Sequence, residues 1–177
     1  MKMQYEILDI HNESEVAAYE RAMYRAFSGS EIVTLDKIWQ FDHKNRKLRT
    51  RIPYDDQEIY VARLDDSVVA GVAVNYAMDK ILQLEMMGFS IDKNRKGICE
   101  GLGIFNLRVF HNSSMVALTL KQHMFEKMRE RGIVRAYGTC STRKLRGYLH
   151  LGWRLIDQRQ FEGEQKYLLE MIGPDSR

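Results

Sequence analysis

Only two prolines and two cysteines occur among the 177 residues. With Pro53 and Pro174 alone, few positions lack a backbone donor, so helices and strands are seldom interrupted. Cys99 and Cys140 are too few for a disulfide framework and read as free thiols, the usual state in a cytoplasmic chain. No apolar run approaches the ~18 residues that a membrane-spanning helix needs. The opening Met1-Lys2-Met3-Gln4-Tyr5-Glu6 also lacks the apolar stretch of a signal peptide. Charge of one sign is scarce: 27 Lys and Arg stand against 24 Asp and Glu, and a net charge of +3 does not mark a nucleic-acid binder. The five histidines, His11, His43, His111, His123 and His150, show no metal-ligand spacing, so no metal site is expected. Repeats and low-complexity tracts are absent. What remains is ordinary globular composition, 45% apolar and 29% charged, at a length that fits one domain over 1–177.

The pattern along the chain predicts its elements. Residues 3–10 read as a strand, and Asn12 with Glu15 three positions on resembles a capping box. The helix it opens carries Val16, Tyr19, Met23 and Phe27 near a 3.6 period, with Gly29 as its stop. A short helix through Phe41 and a basic loop over 42–51 are expected next. Strands are then predicted over 58–64 and 68–77 around the turn Asp65-Asp66-Ser67, over 81–91, and over 98–107, where Gly101 and Gly103 interrupt the run. The longest helix falls at 115–131, with Gly132 just beyond its end. After it come a strand at 134–140, a helix at 142–151 and strands at 153–162 and 166–172. A helix joining two strands among hairpins predicts an α/β (mixed α+β) fold. Its sheet is mixed, mostly antiparallel and twisted, with six to seven strands and about four flanking helices.

Within Leu145-Arg146-Gly147-Tyr148-Leu149-His150-Leu151-Gly152-Trp153 a helix ends on glycine and a bulky aromatic opens the next strand. Tyr148 is either a packing group or a proton donor at the end of the preceding strand. Cys140, at that strand's end, is a pocket liner; a covalent cysteine mechanism needs a base beside it that the sequence does not reveal. The ten methionines are flexible apolar fillers that suit a core or an acyl tunnel. The basic stretches Lys44–Arg51, Lys93–Lys96 and Arg143–Arg146 are either solvated loops or an electrostatic dock for an acidic partner.

The order of elements, and Tyr148-x-x-x-Gly152-Trp153 after strand 134–140, resemble the GNAT-type N-acyltransferases over roughly residues 3–172. A narrower set is similar to the branch holding N-acyl amino acid synthases and acyl-homoserine-lactone synthases. It comprises Tyr19–Phe27, Phe41-Asp42-His43-Lys44, Pro53-Tyr54-Asp55-Asp56 and Ile59–Arg63. The resemblance implies transfer of a medium or long acyl chain from a pantetheine thioester, acyl-CoA or acyl carrier protein, to a primary amine, plausibly an amino acid. It implies acyl-CoA or acyl-4′-phosphopantetheine as co-substrate with no tightly bound cofactor, and acyl carrier protein as a candidate partner. Tyr148 takes the place of the tyrosine that protonates the leaving thiolate, and Glu100 is the candidate general base, the alternative being a solvent-facing strand residue.

The same resemblance assigns donor binding to Gly101, Leu102, Gly103, Ile104, Phe105, Asn112, Ser113, Ser114, Cys140 and Arg143. The glycines either let pantetheine run beside the strand or mark a bulge. The acceptor or acyl pocket falls to Phe27, Trp39, Asp42, Tyr60 and Tyr137. The chain departs from the pattern in three places. That branch's Glu-x-x-Arg is Glu100-Gly101-Leu102-Gly103 here, and Gly71–Asn75 carries no arginine. Arg108–Met115, ahead of the long helix, holds none of the glycines that usually cradle the CoA pyrophosphate. That third departure favours a carrier-protein donor. The alternatives of the same fold are an acetyl-CoA-dependent acetyltransferase and a catalytically silent acyl-ligand-binding module.

Overall fold

A computed structural model describes residues 2–29, 32–107 and 113–173. In chain order the elements are β1 (Met3–Ile7), α1 (Glu13–Phe27), α2 (Ile32–Ile38), β2 (Trp39–Asp42), β3 (Lys47–Thr50), β4 (Gln57–Leu64) and β5 (Ser67–Asn75). There follow α3 (Gln83–Met86), β6 (Ile98–Asn106), α4 (Ser113–Glu130), β7 (Arg135–Ser141), α5 (Thr142–His150), β8 (Arg154–Phe161) and β9 (Glu164–Ile172). Seven strands form one sheet in the order β1-β4-β5-β6-β7-β9-β8, and only β6 and β7 run parallel, joined through α4. The expected mixed, mostly antiparallel sheet is therefore present, with five α-helices among the described residues.

Alternation along each strand splits the core into two layers. Ile59 and Val61 of β4 point to the side covered by α1, α2 and the β2–β3 hairpin, with Tyr19, Met23, Phe27 and Trp39. Tyr60 and Ala62 point to the other side, where Val116, Leu120, Met124 and Met128 of α4 cover the sheet. Met115 and Leu118 on the same helix are exposed instead, so the stripe α4 buries is Val116, Leu120, Met124 and Met128.

Local signals account for the helix ends. Asn12 Oδ1 accepts from the backbone N–H of Ser14 (3.1 Å) and Glu15 (3.4 Å), which satisfies two free donors of α1. Glu15 does not close the capping box; its carboxylate accepts from the Asp9 N–H instead. Gly132 and Gly152 adopt positive φ, 70° and 89°. Each ends its helix in a double hydrogen-bonded turn, Ile133 N–H to Met128 C=O and Trp153 N–H to Tyr148 C=O closing the outer rings.

Two expectations fail. Residues 39–41 are strand rather than helix, and the expected loop at 42–51 contains β3, which pairs with β2 from Trp39↔Thr50 to Asp42↔Lys47. The stretch 81–91 is not a strand but the single turn α3 with flanking loops. Leu82 and Leu84 are both fully buried, which mimics a strand alternation. However, the N–H groups that a strand would give to a neighbour go to carboxylates: Leu82 to Glu85, Gln83 and Leu84 to Glu100.

Gly71 on β5 lies under the Phe105 ring, where an added Cβ would come within 2.7 Å of Cε1 and 3.0 Å of Tyr19. Gly71→Ala is expected to lower unfolding stability by about 2 kcal/mol through overpacking. Urea denaturation measures it, and a neutral result would show that the ring moves aside freely.

Candidate active site at the parting of two strands

The β6–β7 ladder runs only from Ile98↔Arg135 to Gly101↔Gly138. Beyond it the strands diverge, while β7 stays paired with β9 as far as Ser141 and β6 with β5 as far as Asn106. A bulge on β6 coincides with the parting: Ala73 pairs with Gly103 and Val74 with Gly101, leaving Leu102 as the extra residue. Of the two readings of these glycines, the bulge is present, and the strands part beside it. The Leu102 carbonyl is taken by Gln83 Nε2 at 2.9 Å.

Two cavities of about 70 Å³ each meet at this gap, one on each face of the sheet. The first lies under α4, walled by Met124, Phe125 and Met128 with Val72, Val74 and Leu169. The second lies under α1 and α2, walled by Phe27, Leu35, Ile38 and Trp39 with Gln83 and Met87. Leu102, Gly103, Ile104, Thr139 and Tyr148 line both.

Tyr148 is held by local geometry. The turn at Gly152 carries Trp153 back onto it, so that the rings meet edge to face at 5.7 Å and 86°. Gly138 makes room for the indole, since a Cβ there would already touch it at 3.4 Å. Burial pushes the Tyr148 phenol above its ordinary range, with Cys140 adding to the shift. The phenol therefore keeps its proton at neutral pH. Burial also pushes the Cys140 thiol up to about 11, against the opposing pull of Lys144 and Lys166. Cys140 lines the second cavity as a protonated thiol rather than a thiolate nucleophile.

Glu100 is 1% exposed. One carboxylate oxygen accepts from Leu84 N–H (2.7 Å); the other accepts from Gln83 N–H (3.1 Å) and Asn75 Nδ2 (3.2 Å). Burial raises its pKa to about 7 against the lowering effect of these bonds. Its carboxylate holds α3 in place, and α3 in turn supplies Gln83 and Met87 to the second cavity. Gln83 Oε1 also accepts from Trp39 Nε1 at 2.5 Å.

No protein-family model and no curated protein matches the chain in sequence. Solved structures do match in shape. The acyl-homoserine-lactone synthase BjaI, solved with SAM and isopentyl-CoA, superposes with a TM-score of 0.72 at 14% identity over 97% of this chain and 85% of its own. The synthase LasI gives 0.71 at 11% identity over 97% and 90%. A GNAT-family protein of Desulfovibrio desulfuricans gives 0.62 at 10% identity over 97% and 99%. The chain has the GNAT fold.

In this GNAT fold, several residues read from sequence come together at the gap: Gly101, Leu102, Gly103, Ile104, Cys140, Arg143, Tyr148, Phe27 and Trp39 all line one cavity or both. Others are placed elsewhere. Phe105 is a core residue packed on Tyr19 and Phe27. Tyr60 lies in the α4 layer, its hydroxyl donating to Glu58. Tyr137 is buried in the opposite layer. Asp42 caps the β2–β3 turn, accepting from Asn45 N–H (3.0 Å) and Asn45 Nδ2 (2.7 Å), which lowers its pKa. Asn112 lies outside the described residues, and Ser113 and Ser114 are placed by backbone alone as the first residues of α4. Much of the basic stretch 44–51 serves the hairpin: Arg49 donates to Gln40, and Lys47 faces Glu20 at 3.8 Å.

Lys166, Thr139 and Gln83 were not read from sequence, and Lys144 only as part of the basic stretch Arg143–Arg146. Lys166 had a usable signal, since it stands in phase with buried Leu168 on β9, where a lysine is out of place. Gly103 offers a direct probe, because a Cβ there would meet Trp39 at 3.4 Å on the second cavity's side. Gly103→Val is expected to raise the acceptor KM about tenfold, a loss of about 1.4 kcal/mol, with donor KM unchanged. Gly103→Ala serves as the folding control.

Proposed function

We propose that the chain is an N-acyltransferase that moves an acyl group from a pantetheine thioester to an amine. The observation that carries this reading is the meeting of two cavities at one gap in the sheet, with the Tyr148 hydroxyphenyl group lining both. A donor enters under α4, where apolar walls suit a medium or long acyl chain, and the freed edge of β6 offers backbone groups for the pantetheine arm to pair with. The acceptor amine enters under α1 and α2 and attacks the thioester carbonyl at the gap. The tetrahedral intermediate collapses with loss of the thiolate; Tyr148, still protonated at neutral pH, gives its proton to sulfur, the acylated nitrogen sheds one proton to water, and water reprotonates the Tyr148 phenolate.

In this reading Glu100 is a positioning residue. Both its oxygens are engaged with α3 and Asn75, so it shapes the acceptor cavity rather than meeting the amine, which reacts in its neutral form. Arg143, expected at the donor, borders the second cavity instead, on the acceptor's side of the sheet.

The test is thiol release from acetyl-, octanoyl- and dodecanoyl-CoA and from the matching acyl carrier proteins, against a panel of primary amines. Turnover is expected to rise from acetyl to octanoyl, since each buried methylene contributes about 0.8 kcal/mol. Absence of amine-dependent thiol release from every donor would overturn the proposal. Faster turnover with acetyl-CoA than with the longer donors would replace the acyl chain by acetyl.

A further inference from the structure

The second cavity has a charge imbalance. Arg143, Lys144 and Lys166 border it, and no aspartate or glutamate does among the described residues. Lys166 is the unusual member. It is 3% exposed, in phase on β9 with buried Leu168 on one side and half-buried Glu164 on the other. Lysines are seldom buried unless something holds the charge. Glu164 holds it from outside the cavity: Lys166 Nζ donates to Glu164 Oε2 at 2.7 Å. Glu164 in turn accepts from Thr34 of α2, and the bonds to Lys166 and Thr34 together lower its pKa. The chain Thr34–Glu164–Lys166 therefore fixes the ammonium at the junction of α2 and β9. One of its three donors is used there, and the other two have no acceptor among the described residues. Lys144 places a second ammonium on the same wall, 4.6 Å from the centre of the Phe27 ring. Phe27, Trp39 and Ile38 give the same cavity its apolar faces.

We infer that Lys166 is the specificity-determining residue for the acceptor, receiving an anionic carboxylate on the amine substrate. This rests on the acyltransferase reading above and names the acceptor's class: an amine that carries a carboxylate and an apolar substituent. The carboxylate bonds to the ammonium of Lys166 with Lys144 nearby, the apolar part lies against Phe27 and Trp39, and the amine is left toward Tyr148 and the thioester. A phosphate of the donor has the same charge, but the donor's apolar cavity is on the other face of the sheet, under α4.

The experiment compares leucine and phenylalanine with leucinamide and phenylalaninamide as acceptors of octanoyl-CoA, in the wild type, Lys166→Met and Lys166→Arg. The wild type should prefer the acids by about 10- to 100-fold in kcat/KM, the range for a hydrogen bond to a charged group. Lys166→Met should bring the acid-to-amide ratio of kcat/KM to about one; Lys166→Arg should keep part of the preference. Equal use of acid and amide by the wild type would overturn the inference while leaving the acyltransferase reading intact, because the amides would still turn over. A rise in donor KM instead of acceptor KM in Lys166→Met would assign the cation to the donor phosphate and overturn it equally. Binding read from tryptophan fluorescence covers the case of no turnover. The wild type should bind N-octanoyl-leucine at least tenfold more tightly than its methyl ester, and equal binding would overturn the inference independently of catalysis.

Discussion

Replacing Tyr148 by Phe is expected to lower kcat for acyl transfer about a hundredfold or more, the usual scale for loss of a positioned acid, with donor and acceptor KM little changed. The ring's place does not depend on its hydroxyl. It is fixed by the edge-to-face contact with Trp153 and by the turn at Gly152, both of which Phe retains. The hydroxyl makes no hydrogen bond to any described residue, so its removal leaves no partner stranded. The variant should therefore fold with wild-type stability and lose only the proton. A phenol pushed above its ordinary range by burial keeps its proton until the thiolate forms beside it. Rates unchanged in Tyr148→Phe across pH 6–9 would show that the thiolate departs without this proton. A large rise in KM would show a binding role instead.

The second large effect is on stability and belongs to Glu100. Its pKa in the folded chain, about 7, lies above its ordinary 4.5 because burial disfavours the carboxylate. The fold therefore prefers the protonated form. The contribution of this group is fully present below about pH 4.5 and is lost as pH rises through 7. A shift of this size corresponds to about 3 kcal/mol. Glu100→Gln has no proton to lose, so the stability difference between wild type and variant should shrink by about 3 kcal/mol between pH 4.5 and 7.5. At low pH the variant should be the less stable by about 1–3 kcal/mol. Its amide nitrogen would face one of the two backbone N–H groups that now meet oxygen. Urea unfolding at several pH values measures both, and a difference that does not vary with pH would show that the carboxyl does not titrate near neutrality. In activity, the same variant should raise the acceptor KM more than it lowers kcat, as befits a residue that acts through α3.

What the sequence made legible was mostly local. The caps at Asn12, Gly132 and Gly152 need only their own neighbours, and the run Tyr148-x-x-x-Gly152-Trp153 fixes the orientation of the tyrosine through one helix end. The aromatic pair Phe27 and Trp39 was also found, although Trp39 was expected on a helix rather than on β2. Distant partners hid the rest. Residues 81–91 look like a strand until Glu100, far along the chain, takes the backbone donors of Gln83 and Leu84. Lys166 reads as an ordinary strand lysine until α2 supplies Thr34 and the gap beside β7 supplies a cavity. Asp42, Tyr60, Tyr137 and Phe105 line neither cavity: Asp42 caps a turn, Tyr60 faces the α4 layer, and Phe105 and Tyr137 share the second cavity's layer but pack into the core beside it.

The parting of β6 and β7 has a consequence for kinetics. Because each cavity opens on its own face and the two share only the short wall from Leu102 to Ile104 with Thr139 and Tyr148, neither substrate blocks the other's entry or exit. Donor and acceptor can then arrive in either order and react in a ternary complex. Initial-rate lines for varied donor at fixed acceptor should intersect rather than run parallel. On the proposed reading the sheet is a partition, and the gap between β6 and β7 is the window at which the two substrates meet.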